Sequence, residues 1–132
     1  MKYMLLMQAS ERIEHPPIHT WDPADVKAHL EFMGDFSRKL VADGEFVDAQ
    51  GLAGPEEAKV VRSTATGTPA VTDGPFPESK EFLAGFWVID VESAERAIEV
   101  AAAASAAPGP GGVQLNLPIE IRQIMSAPAT DA

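Results

Sequence analysis

Two short, almost unbroken apolar runs constrain this chain more than any other feature: Tyr3-Met4-Leu5-Leu6-Met7 at its start and Phe86-Trp87-Val88-Ile89 in its second half. A run that is apolar on both faces suits a strand covered from both sides, in the middle of a sheet and not at its edge. The segment Phe82 to Val91 is also dense in aromatic and β-branched residues, which fit a pleated, half-buried surface. The chain should therefore build a sheet with these two strands at its centre, and something must cover each face.

Two helices are available as covers. Asp22-Pro23-Ala24-Asp25 carries several agreeing start signals, with Asp22 at the N-cap, Pro23 at the first helical position and Asp25 near the positive end of the dipole. The helix should run from about Pro23 to Asp43 and stop at Gly44. At 100° per residue, Val26, His29, Leu30, Met33, Phe36 and Leu40 share one stripe, with Lys27, Glu31, Asp35 and Arg38 opposite. Ser93 caps a second helix to about Ala104, whose apolar stripe is small: Ala94, Ala97, Ile98 and Ala101. Between the helices, Glu45 to Leu52 and Lys59 to Ser63 read as strands. The latter faces Ala70-Val71-Thr72 across a turn at Thr66-Gly67-Thr68, forming a hairpin. Gln8 to Thr20, with Pro16 and Pro17, reads as a loop, as does Pro108 to Gly112, and Ile119 to Ile124 reads as a last strand. Residues 1–125 form one domain in this reading, and 126–132 a loose tail.

The order is β, α, β, a hairpin, β, α, β. It belongs to the α+β class and suits a split βαβ, ferredoxin-like plait with an extra hairpin. Two helices cover one sheet face. The other face would leave an apolar patch too large for a monomer in water, so dimerisation through it is the physical expectation.

Composition narrows the functional classes. The 132 residues suit one domain, and 45% hydrophobic with 23% charged residues is an ordinary globular balance. A net charge of −10 repels phosphate backbones and anionic lipids, so neither nucleic acid nor a membrane surface is an expected partner. No apolar run approaches a membrane span or a signal peptide, which makes the cytoplasm the expected compartment. Zero cysteines exclude disulfides, thiolate metal sites and a cysteine nucleophile. No phosphate loop, nucleophile elbow or dinucleotide fingerprint occurs, and no cofactor is expected.

Thr72-Asp73-Gly74-Pro75-Phe76-Pro77-Glu78-Ser79-Lys80-Glu81 resembles the signature of the DGPF branch of the YCII-related family. The start Met1 to Leu6, Gly51-Leu52, Gly85-Phe86-Trp87 and the ending Ile119 to Ile124 are also similar to that family, so the resemblance spans most of residues 1–125. It implies a ferredoxin-like dimeric α/β barrel with a cleft lined by the first helix, the sheet and the signature loop. Some relatives are linked to dehydrochlorination, and DGPF members are often associated with sigma-factor systems. In enzymatic relatives a His and Asp pair is proposed from the start and end of the first helix. This sequence departs from that pattern, with His29 inside the helix and Asp43 at its end.

Each candidate site residue has two readings. Asp73 is either a turn acceptor or, with Phe76 as an aromatic wall, a carboxylate aimed into the cleft toward a small polar-headed ligand. His29 is either a core histidine kept neutral by desolvation or, if the stripe borders a cleft, a general base with Asp73 as its partner. Trp21 either staples the helix start or lids a pocket. Lys80 is either a solvated charge or an anchor for an anionic ligand, and Trp87 joins Trp21, Phe76 and Lys80 as a candidate ligand contact. His15 and His19 are four apart, yet Pro16 and Pro17 forbid the helix that would make them chelate, so no metal is expected. Two classes of function stay open: a dimeric lyase or isomerase using proton transfer, and a non-catalytic metabolite-binding or regulatory module.

Overall fold

The computed structural model describes residues 1–10, 16, 18–74 and 81–125. Their elements run β1 (Lys2–Ser10), α1 (Pro23–Ala42), β2 (Phe46–Gly51), β3 (Lys59–Arg62), β4 (Ala70–Asp73), β5 (Glu81–Asp90), α2 (Ala94–Ser105) and β6 (Ile119–Gln123), with short 3-10 turns at Ile18–Thr20, Pro55–Glu57 and Pro110–Gly112. One sheet has the order β2-β5-β1-β6, every neighbouring pair antiparallel, while β3 and β4 form a separate two-stranded sheet. This is a mixed α+β arrangement compatible with a ferredoxin-like plait. The two apolar runs occupy its two inner strands, as their lack of a polar face requires.

Strand alternation divides the sheet cleanly. Tyr3, Leu5, Trp87 and Ile89 are buried against Leu40 of α1 and against Ala97, Val100, Ala101 and Ala104 of α2. Alanines let the α2 backbone lie close to the sheet. The expected α2 stripe is corrected here: Ala94 and Ile98 are exposed, and the buried line is 97, 100, 101 and 104. Ile98 stands 100° round from Ala97, and Val100 provides the bulk that the close packing admits. Leu30 is likewise 59% exposed. The seam of α1 follows 26, 29, 33, 36 and 40, a three-four spacing that leaves Leu30 on its flank.

The helix ends rest on different devices. Ser93 Oγ accepts a hydrogen bond from Arg96 N at 3.1 Å, a working N-cap. Asp22 holds the N-cap position of α1 without a side-chain cap bond; its carbonyl takes the amides of Asp25 and Val26, and Pro23 pre-sets the first turn. At the C-terminus, Glu45 N donates to Leu40 O and Gly44 N to Val41 O, a Schellman closure that needs the left-handed Gly44 (φ 72°). β1 runs past the expected Met7, because Gln8, Ala9 and Ser10 still pair with β5, and a polar composition yields to an available ladder. On the face away from the helices, Met4, Leu6, Phe86 and Val88 are half-buried, bordered by Asp48 and Gln50 on β2 and by Glu120 and Arg122 on β6. The tail 126–132 lies outside the described residues.

Candidate functional site

The antiparallel order gathers one set of chain ends: the close of β1, the close of β2, the start of β5 and, through the crossover, the first turns of α1. At this end Gly51 of β2 pairs with Gly85 of β5, and Gly85 pairs with Met7 of β1. Paired glycines on the helix-facing side leave a gap under α1. A hollow of about 200 Å³ forms there, bounded by Met7, Ala49, Gly51, Gly85 and Trp87 in the sheet and by Met33 of α1. A further hollow of about 310 Å³ lies at the base of the hairpin, bordered by Leu52, Pro55, Ala58, Phe82 and Leu83. The start of the signature lies beside it, since Gly74 N donates to Ala58 O at 2.6 Å, and Phe82, the residue after the signature, is a wall. Gly74 has φ 74°, so the glycine of the signature serves a left-handed backbone position.

His29 lies one helical turn before Met33, on the same seam of α1. Its Nδ1 is 3.0 Å from the carbonyl oxygen of Pro108, in the loop after α2. A carbonyl can only accept, so Nδ1 carries the proton and donates, which in the neutral ring leaves the lone pair on Nε2. Trp21 meets the His29 ring edge-on at 5.5 Å, and its Nε1 donates to Pro16 O at 2.7 Å. A hydrophobic staple would place Trp21 on Val26; the ring contact is one turn further on, so Trp21 bears on the histidine itself. Trp87 is buried in the core with Phe36 edge-on at 5.7 Å, and it borders the hollow under α1.

Asp73 goes elsewhere. At the close of β4 it lies opposite Lys59 of β3, and its Oδ1 accepts from Lys59 Nζ, with the Asp73 side chain 83% exposed. Asp73 and His29 share no hydrogen bond, so the two expected partners are separately engaged. Asp43, at the helix end, is also remote: fourteen residues along α1 amount to about 20 Å. It lies instead 3.8 Å from Arg96 Nη2. Phe76, Lys80 and His15 fall outside the described residues. Among the described residues no three His, Asp or Glu side chains gather as a metal site, and no helix is long and apolar enough to cross a membrane.

The densest ionic cluster sits at the opposite end of the sheet. Arg96 Nε reaches both oxygens of Glu45 at 3.0 and 3.2 Å, Nη2 reaches Glu45 Oε1 at 2.8 Å, and Nη1 reaches Glu99 at 3.0 Å. The Arg96 hydrogen bonds hold the Glu45 carboxyl below the ordinary carboxylate range, against burial that pushes it up. The same bonds, with those to Glu99, drive the Arg96 guanidinium above its usual value.

Sequence reasoning missed the glycine pair, the two methionines beside it and the Pro108 carbonyl. Glycine inside a strand was the available signal, since it marks a close backbone approach or a space for something else. The YCII-related domain family matches residues 1–114. An uncharacterised protein of Rhizobium meliloti (strain 1021) is 32% identical over 81 residues, covering 61% of this chain and 64% of that protein. The aligned stretch thus spans less than two thirds of that relative's length.

Proposed function

The chain belongs to the YCII-related domain family, and on that premise we propose that it is a cytoplasmic, homodimeric small-molecule enzyme of the lyase or isomerase kind, with His29 as the proton-accepting group. The observation that carries this reading is the His29 Nδ1–H bond to Pro108 O. Fixing the proton on Nδ1 leaves the Nε2 lone pair as the base. That lone pair takes a proton from a carbon next to an electron-withdrawing group, giving an imidazolium that keeps its bond to Pro108. The electron pair left on the substrate then either expels a leaving group, as in a lyase, or collects the proton back at another atom, as in an isomerase. The hollow under α1 lies one turn from His29 and supplies the place for the substrate.

The dimer is argued from the open sheet face. Met4, Leu6, Phe86 and Val88 form an apolar centre with a polar border, the layout of a surface meant to be covered. A two-fold partner presenting the same patch would cover it. Light scattering at micromolar concentration should give twice the 14.1 kDa chain mass; a value at the single mass would refute the dimer.

One observation favours a second reading, a non-catalytic metabolite-binding or regulatory module: Asp73 is committed to Lys59 and does not serve as the carboxylate partner of His29. Incubation of a panel of small C–H acids in deuterated water separates the two. Protein-dependent exchange that is lost in His29→Gln supports proton transfer. Panel members that bind beside Met33 while no exchange depends on His29 would establish the binding module instead.

A further inference from the structure

We propose that the glycine-floored hollow under α1 takes an uncharged, ring-sized apolar molecule and rejects charged ones of the same size. The inference deepens the small-molecule reading of this end of the sheet and does not depend on proton transfer. It starts from what borders the space. Met7 and Met33 give two flexible, polarisable walls, Trp87 an aromatic one, and Ala49, Gly51 and Gly85 a floor almost without side chains. Gln50, the one polar residue along the hollow, turns its side chain the other way. Alternation turns it to the open sheet face, where its Nε2 donates to Asp48 Oδ1 at 3.2 Å. Among the described residues no charged group therefore lines the hollow to offset the desolvation of an ionic ligand.

The size is also set by the glycines. About 200 Å³ compares with the roughly 150 Å³ of a dry apolar cavity that admits benzene. The two glycines are not equivalent. A Cβ on Gly85 would stand 2.9 Å from the backbone oxygen of Gln50, so close strand approach alone accounts for that glycine. A Cβ on Gly51 would meet nothing within 4 Å. Packing gives no reason for glycine there, at the exposed last position of β2. What its missing side chain provides is room.

The experiment follows the methionine methyl resonances while adding benzyl alcohol, benzoate or benzylammonium. Benzyl alcohol should produce saturable shifts at Met7 and Met33, and the two ions should bind at least about tenfold more weakly, because the site cannot repay their desolvation. Gly51→Ala should weaken the alcohol and Gly51→Val should abolish its binding, with an unchanged unfolding midpoint showing that the fold survives. An ion binding as well as the alcohol, shifts that spare Met7 and Met33, or Gly51→Val binding like the parent would each overturn the proposal. His29→Gln should leave alcohol binding within about twofold of the parent, because His29 is not among the residues that border the hollow. If that variant keeps the exchange chemistry, proton transfer by His29 falls while the hollow stands; if it loses alcohol binding, the apolar assignment falls instead.

Discussion

Removing the Arg96 guanidinium should expose how the end opposite the hollow is held. Arg96 is the third residue of α2, where a cation opposes the helix dipole at a cost of about 0.3–1 kcal/mol. Its position is sustained by Glu45, just before β2, and by Glu99 one turn on. The Glu99 carboxylate is 66% exposed and contributes a few tenths of a kcal/mol at most, on the order of 0.3–0.5 for such helix pairs. Glu45 is different, at 14% exposed and bonded through both oxygens. Charged hydrogen bonds of this kind contribute about 1.5–3 kcal/mol, and stranding one member of a fully buried pair costs about 3–5. Arg96 keeps 29% exposure, so the lower range applies. After subtracting the relieved dipole term, Arg96→Met should cost about 2 kcal/mol.

The pH dependence gives the sharper check. The Arg96 bonds lower the folded-state pKa of Glu45, so its contribution is complete above the ordinary Glu value of about 4.3 and is lost as pH falls through the lowered folded value. In Arg96→Met those bonds are gone, and burial, which disfavours the carboxylate, is opposed only by the weaker attraction of Lys39. The stability gap between parent and variant should thus be full at neutral pH and shrink below about pH 4. Urea unfolding at fixed protein concentration and equal slopes measures it. A gap under about 0.5 kcal/mol at pH 7, within the range of ordinary surface substitutions, or one that does not change down to pH 3, would refute the clamp.

Three further outcomes follow from the same geometry. Ser93→Ala should destabilise by about 1 kcal/mol, whereas Asp22→Ala should change the urea midpoint by less than about 0.5 kcal/mol, because only Ser93 makes a side-chain cap bond. Asp73→Ala should cost no more than about 1 kcal/mol and lose most of that effect in concentrated salt, as an exposed cross-strand pair requires; a larger, salt-independent loss would return Asp73 to the role of turn acceptor. Gly85→Ala should cost about 1–3 kcal/mol in thermal or urea unfolding, since its Cβ would press on a backbone oxygen that cannot move aside; a neutral effect would mean that β2 and β5 can separate there.

How much of this was legible beforehand depended on whether the determining contacts were local. The inner strands were, because an apolar run needs no partner to declare that both its faces are covered. The ends of α1 and the Ser93 cap were legible for the same reason, being set within a few residues. Ile98 and Leu30 were misplaced because a helical wheel gives the width of a stripe but not which flank the sheet touches. His29 was found by its place on the seam, while its partner was not. The Pro108 carbonyl is seventy-nine residues away and reaches His29 only once α2 has docked. Asp73 was assigned to a turn or a cleft because its link to Lys59 exists only in the hairpin register. The hollow was hardest of all, since it consists of side chains that are missing from two strands brought together by pairing.

The same elements that are tied at one end are open at the other, and this division has a consequence for how the protein tolerates change. β2 begins beside the Arg96 and Glu45 clamp and finishes at Gly51; α1 finishes in the Schellman turn next to that clamp and begins beside His29. Stability is thus concentrated where no candidate ligand contact lies, while at the end bearing His29, the methionines and the glycine floor the Lys27–Glu31 pair of α1, 3.8 Å apart, is exposed and contributes little. Local opening should begin at this weaker end, where the backbone has fewer cross-links to break. Amide exchange in the first turns of α1 should therefore be faster than in its last turns, and a ligand seated between Met7 and Met33 should slow the first turns alone. Uniform protection along α1, with or without benzyl alcohol, would show that the helix moves as one piece and that the two ends are not energetically distinct.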